Sequence, residues 1–117
     1  MNNEQDPGCV ELSGNATHAV VIRADDGMVH TFPHAHFVRG LRQAGPDRAG
    51  VSSATERLVL TFSLAEVTIT GVNLRRVEKE LTSGRLAGLR PEGDARILNY
   101  GTYAKIFSIR VALEDPQ

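Results

Sequence analysis

Tryptophan is absent and aromatic residues make up only 5% of the chain, so the core has to be assembled from Val, Leu and Ile, with four Phe as its larger pieces. Such a composition suits the packing of sheets. The single cysteine, Cys9, excludes an intrachain disulfide and gives no sign of an oxidising compartment. Charge of one sign is also lacking: a formal net charge of -1 supplies no long-range field to draw in nucleic acid or an acidic membrane surface. No window approaches the roughly 18 consecutive apolar residues of a membrane-spanning helix. Residues 1–7 carry neither the positive charge nor the apolar run of a signal peptide. The chain therefore reads as cytoplasmic, with no membrane partner.

What is present fits one domain. The 117 residues are 41% apolar and 23% charged, enough apolar content for a single core and far from the composition of disordered chains. The charge is unevenly spread, since residues 1–70 hold five arginines against eight acidic side chains and residues 71–110 hold eight basic against four. The last third is mildly basic.

The pattern predicts an α+β fold: a mainly antiparallel sheet of five or six strands with one short amphipathic helix at about 74–82. Residues 1–16 read as a polar, flexible tail with one short edge strand around Val10 to Leu12, and 17–114 as a single globular domain. Residues 18–32 give the clearest local signal, two β-branched runs around Asp25-Asp26-Gly27. Side-chain parity pairs Ala24 with Met28, Ile22 with His30 and Val20 with Phe32, with Gly27 in the left-handed position of a three-residue hairpin loop. After Pro33, the spacing of Phe37 and Leu41 suggests a helical turn, and residues 43–56 read as a flexible connection. Leu58, Leu60 and Phe62 change parity to Val67 and Ile69, which predicts a second hairpin with a four-residue loop pairing Phe62 with Val67 and Leu60 with Ile69. Leu74, Val77 and Leu81 form the apolar stripe of the helix, with Asn73 as N-cap and Gly84 as its left-handed stop. A short strand through Leu86 and Leu89 follows. Residues 106–113 then alternate as a half-buried strand expected inside the sheet.

Two constellations point toward chemistry. His30, His34 and His36 lie within seven residues, and imidazole is the commonest transition-metal ligand and the usual general base near neutral pH. A third ligand is not fixed by the spacing, so core packing for His30 and exposure for His34 and His36 stand beside a metal-dependent enzyme as readings. The second constellation is the junction Gly71, Asn73, Arg75 and Arg76, with Lys79 and Arg85 beyond it. Free amides at a helix start and nearby guanidinium groups together can seat a phosphate or carboxylate, and Tyr100 or Tyr103 could stack bases. Against this, exposed Arg on a short helix needs no ligand.

Nucleophile-elbow, phosphate-loop and dinucleotide patterns are missing, so no cofactor is implied. Because both parities of residues 19–32 and 106–113 are apolar while one short helix covers little, the sequence favours a non-enzymatic binding or assembly module. Such a module would self-associate as a homo-oligomer or hold a protein partner. Anion or single-stranded nucleic-acid binding is the alternative.

Overall fold

The structure, a computed structural model, describes residues 9–15, 17–45, 55–91 and 104–113. Strands β1 (Val10–Leu12), β2 (Ala19–Arg23), β3 (Val29–Pro33), β4 (Phe37–Ala44), β5 (Glu56–Phe62) and β6 (Ala65–Val72) precede helix α1 (Arg75–Thr82). Strands β7 (Leu86–Leu89) and β8 (Lys105–Leu113) follow it. They form two four-stranded sheets rather than one sheet of five or six strands, in the orders β1-β7-β2-β3 and β4-β5-β6-β8. All neighbours are antiparallel except β2 and β7.

The first hairpin follows the parity argument. Val20 faces Phe32 and Ile22 faces His30, the Ala24 amide donates to the Met28 carbonyl at 2.9 Å, and Gly27 closes the turn at a φ of 88°. The second hairpin keeps the predicted face but not the predicted register. Phe62 faces Ala65, Leu60 faces Val67 and Leu58 faces Ile69, so the loop is only Ser63 and Leu64. Parity fixes register only to a multiple of two, and the shorter loop preserves the same apolar face with one more cross-strand pair.

Three further expectations are corrected. The helical turn around Phe37 and Leu41 is a single 3-10 turn at His34–His36 followed by the eight-residue strand β4; a register shift between Phe37 and Arg39 sets Phe37 opposite Phe62 on the inner face and Leu41 opposite Val59 on the outer face, so their spacing marks no shared helical face. The connection expected over 43–56 is strand at both ends, with Gln43 facing Arg57 and Ala44 facing Glu56; residues 46–54 lie outside the described residues. Among the described strands, β8 stands at a sheet edge and not inside the sheet.

The short edge strand expected at Val10 to Leu12 is present as β1, paired with β7, and Cys9 before it is 1% exposed.

One core serves both sheets. Val20, Ile22, Leu86 and Leu89 of the first sheet, Leu58, Leu60, Val67, Ile69, Ile106 and Ile109 of the second, and Leu74, Val77 and Leu81 around α1 belong to one buried cluster. Phe32 stacks on Phe62 across the two sheets with ring centroids 4.7 Å apart. Each fully buried Leu or Ile contributes about 1.5–3 kcal/mol relative to exposure. The inner faces therefore cover each other, and the expectation that one short helix is their only shield does not hold.

In β8 the alternation is broken by a register shift opposite Thr70 and Gly71. The shift buries both Ile106 and Ile109. Gly71 is required there, because a Cβ at this position would lie 2.0 Å from the Lys105 carbonyl oxygen.

The helix ends as predicted and begins differently. Gly84 is left-handed at a φ of 79°, with the Gly84 amide donating to Leu81 at 3.1 Å and the Arg85 amide to Glu80 at 3.0 Å, the paired bonds of a Schellman stop. Asn73 does not cap. It adopts a φ of 58° and passes the cap position to Leu74, whose side chain has no cap hydrogen bond to offer.

Candidate functional site

At the start of α1 the free amide is held from another strand. Glu56 Oε1 accepts from the Leu74 amide at 2.8 Å, while Glu56 Oε2 lies 3.9 Å from Arg42 Nε. Arg42 in turn bonds Glu78. A carboxylate of the protein thus takes the place that an external anion would occupy, and it complements the helix dipole in the usual sense.

The residues expected to form an anion seat are dispersed. Gly71 is in the β6–β8 seam. Arg75 and Lys79 line an open groove of about 440 Å³ with Arg42, Glu78, Thr82 and Ser83. Arg76 is half-buried and lies outside that groove. Arg85 is exposed and reaches the Ser13 carbonyl at 3.5 Å. Tyr100 and Tyr103 lie outside the described residues.

The histidines do not converge either. His30 lies parallel to the Phe32 ring at 6.0 Å between centroids, His34 Nε2 is 2.8 Å from the Leu86 carbonyl oxygen, and His36 is exposed. Among the described residues, no group of three or more His, Cys, Asp or Glu side chains is arranged to hold a metal ion.

The residues that do assemble are on the outer face of the β4-β5-β6-β8 sheet. Strand pairing sets them in cross-strand rows: Gln43, Arg57, Thr70 and Ser108 form one, and Leu41, Val59, Thr68 and Arg110 form the next. All of them except Leu41 line an open depression of about 580 Å³. Both ion pairs among the described residues are made by Arg42, so Arg57 and Arg110 carry no carboxylate partner there. No acidic side chain lines the depression.

Its donors are two guanidinium groups, one amide and three hydroxyls. Arg57 and Arg110 stand two strands and one row apart, on the order of 12 Å between Cα atoms from ideal sheet spacings, a gap that two long side chains can close on one shared group. Chemically the surface is a platform of hydrogen-bond donors with net positive charge. It suits an oxyanion, and guanidinium is the group that meets phosphate, sulfate or carboxylate oxygens in pairs.

The sequence carried a signal for this face that motif reasoning passes over. On β5, β6 and β8 the parity opposite the apolar one reads Arg57, Val59, Thr61, then Glu66, Thr68, Thr70, then Ser108, Arg110, Ala112. Only strand order places these polar sets side by side.

No helix among the described residues is long and apolar enough to cross a membrane. Comparison with protein-family models, with curated proteins and with solved structures finds no match to the chain.

Proposed function

We propose that this chain is a binding module whose ligand carries a phosphate, sulfate or carboxylate group and sits on the outer face of the β4-β5-β6-β8 sheet. The observation that carries the reading is the pair Arg57 and Arg110, without acidic partners among the described residues, above a depression lined by Thr68, Thr70 and Ser108. Strands fix the backbone beneath these donors, so binding has mainly the two arginine side chains to order.

A small oxyanion ligand fits better than a nucleic-acid strand. Single-strand binders stack bases on aromatic side chains, and the rows of this face contain none among the described residues.

The test is calorimetric titration with tripolyphosphate and, separately, with a short oligonucleotide, at low and moderate salt. Saturable tripolyphosphate binding that weakens as salt screens the charges, and that disappears in the Arg57→Ala/Arg110→Ala variant, supports the proposal. No binding at low salt, or binding unchanged in that variant, overturns it. If the start of α1 were the seat instead, Arg75→Ala/Lys79→Ala would abolish binding; the carboxylate of Glu56 already on the Leu74 amide argues against that outcome. The histidine reading, a metal-dependent enzyme, requires bound metal in stoichiometric amount and has no converging ligand set among the described residues.

A further inference from the structure

A sheet edge presents unpaired amides and carbonyls, and proteins generally shorten, cover or interrupt such edges. Three of the four edges here are treated in that way. β1 has three residues. β3 ends in Pro33, which has no amide hydrogen to offer. β8 is covered at Ile109, whose amide donates to Asp25 Oδ1 at 2.9 Å and whose carbonyl accepts from the Asp25 amide at 2.9 Å.

Among the described residues β4 is the exception. It runs for eight residues at the end of its sheet and is exposed along most of its length, with Val38 62% and Leu41 52% accessible. The Gly45 amide donates to the Thr55 carbonyl. Alternation along an antiparallel ladder then turns the backbone groups of Arg39, Leu41 and Gln43 toward β5 and those of Gly40, Arg42 and Ala44 outward.

We propose that the β4 edge pairs antiparallel with β4 of a second copy of this chain, with Leu41 on the two-fold axis. The occupant follows from self-complementarity. In this register the outward groups of Gly40 meet those of Arg42 of the second copy, Arg39 lies opposite Gln43, and Leu41 meets itself, so no arginine opposes an arginine. Moving the axis to Arg42 sets two guanidinium groups against each other.

The charge beside Gly40 also fits. Glu78 Oε2 is 3.2 Å from where a Gly40 Cβ would stand, and each subunit supplies two carboxylates, Glu56 and Glu78, around one Arg42. Arg42 of the second copy, arriving opposite Gly40, brings a further cation to this acidic pair.

Paired residues share a face, so the two outer faces become one eight-stranded surface, with Arg39, Arg57 and Arg110 from both copies on the same side. The edge geometry alone carries this inference, and its readouts need no ligand, so it fails or stands separately from the ligand reading.

The experiment is sedimentation of the full chain together with cysteine cross-linking. The wild type is expected to sediment at twice its 12.7 kDa mass. Leu41→Cys should give a disulfide-linked dimer, because a pair of this kind has Cα atoms about 4.5 Å apart, within disulfide range. Gln43→Cys, facing Arg39, should not link. Leu41→Lys, which sets two ammonium groups on the axis, should sediment as a monomer whose thermal melt stays cooperative and no longer depends on protein concentration. Cys9, 1% exposed, does not compete for cross-linking. A monomer at high micromolar concentration overturns the proposal. So does a dimer that survives Leu41→Lys, or one in which Gln43→Cys links as readily as Leu41→Cys.

Discussion

The two faces of the β4-β5-β6-β8 sheet are built from the same strands and have opposite characters. Leu58, Leu60, Val67 and Ile69 on the inner side are 0% exposed, whereas Arg57, Thr68, Thr70, Ser108 and Arg110 on the outer side surround open solvent. The inner side is where the chain's stability resides, and the outer side is where it can afford chemistry. Alternation along each strand makes that division, and the second sheet with α1 decides which side is which by covering only one.

Substitutions on the two faces should therefore differ in kind. Leu60→Ala removes a fully buried side chain beside Val67 and Gly40 and is expected to cost about 2–5 kcal/mol in urea unfolding; a loss as small as that of an outer-face change would break the contrast. Gly71→Ala forces a Cβ onto the Lys105 carbonyl, so a loss of about 1–3 kcal/mol is expected, with the β6–β8 seam opening first in hydrogen exchange. Asp25→Ala uncovers the β8 edge by removing the acceptor of the Ile109 amide, worth about 1–2 kcal/mol for a bond to a charged group partly open to solvent. Arg57→Ala/Arg110→Ala is expected to stay within about 0.5 kcal/mol of the wild type while losing the anion.

Legibility in the sequence followed the range of the physics involved. The first hairpin could be read in full because parity and Gly27 act over a few residues, and the helix stop at Gly84 for the same reason. The second hairpin shows the boundary of that argument: alternation chose the face correctly, but the pairing of Phe62 with Ala65 rather than Val67 is a shift by two that alternation cannot see. β4 is not legible because Phe37 and Leu41 have helical spacing, while the irregularity that puts them on opposite faces of the strand arises only from pairing with β5.

The start of the helix is shaped by long-range structure. Glu56 reaches the Leu74 amide from 18 residues away, and no local rule anticipates a carboxylate delivered by a neighbouring strand. The outer-face cluster is hidden for a related reason. Arg57, Thr70 and Ser108 become neighbours only through the order β5-β6-β8, and the histidine run drew notice by its spacing while the fold sent its members apart.

The most direct test of the central claim, that the outer face of this sheet is the ligand surface, is amide chemical-shift mapping during titration with tripolyphosphate. Perturbations should concentrate at Arg57, Thr68, Thr70, Ser108 and Arg110 and leave the start of α1 still. A response centred on Asn73 to Arg76, or none at saturating ligand, would contradict it.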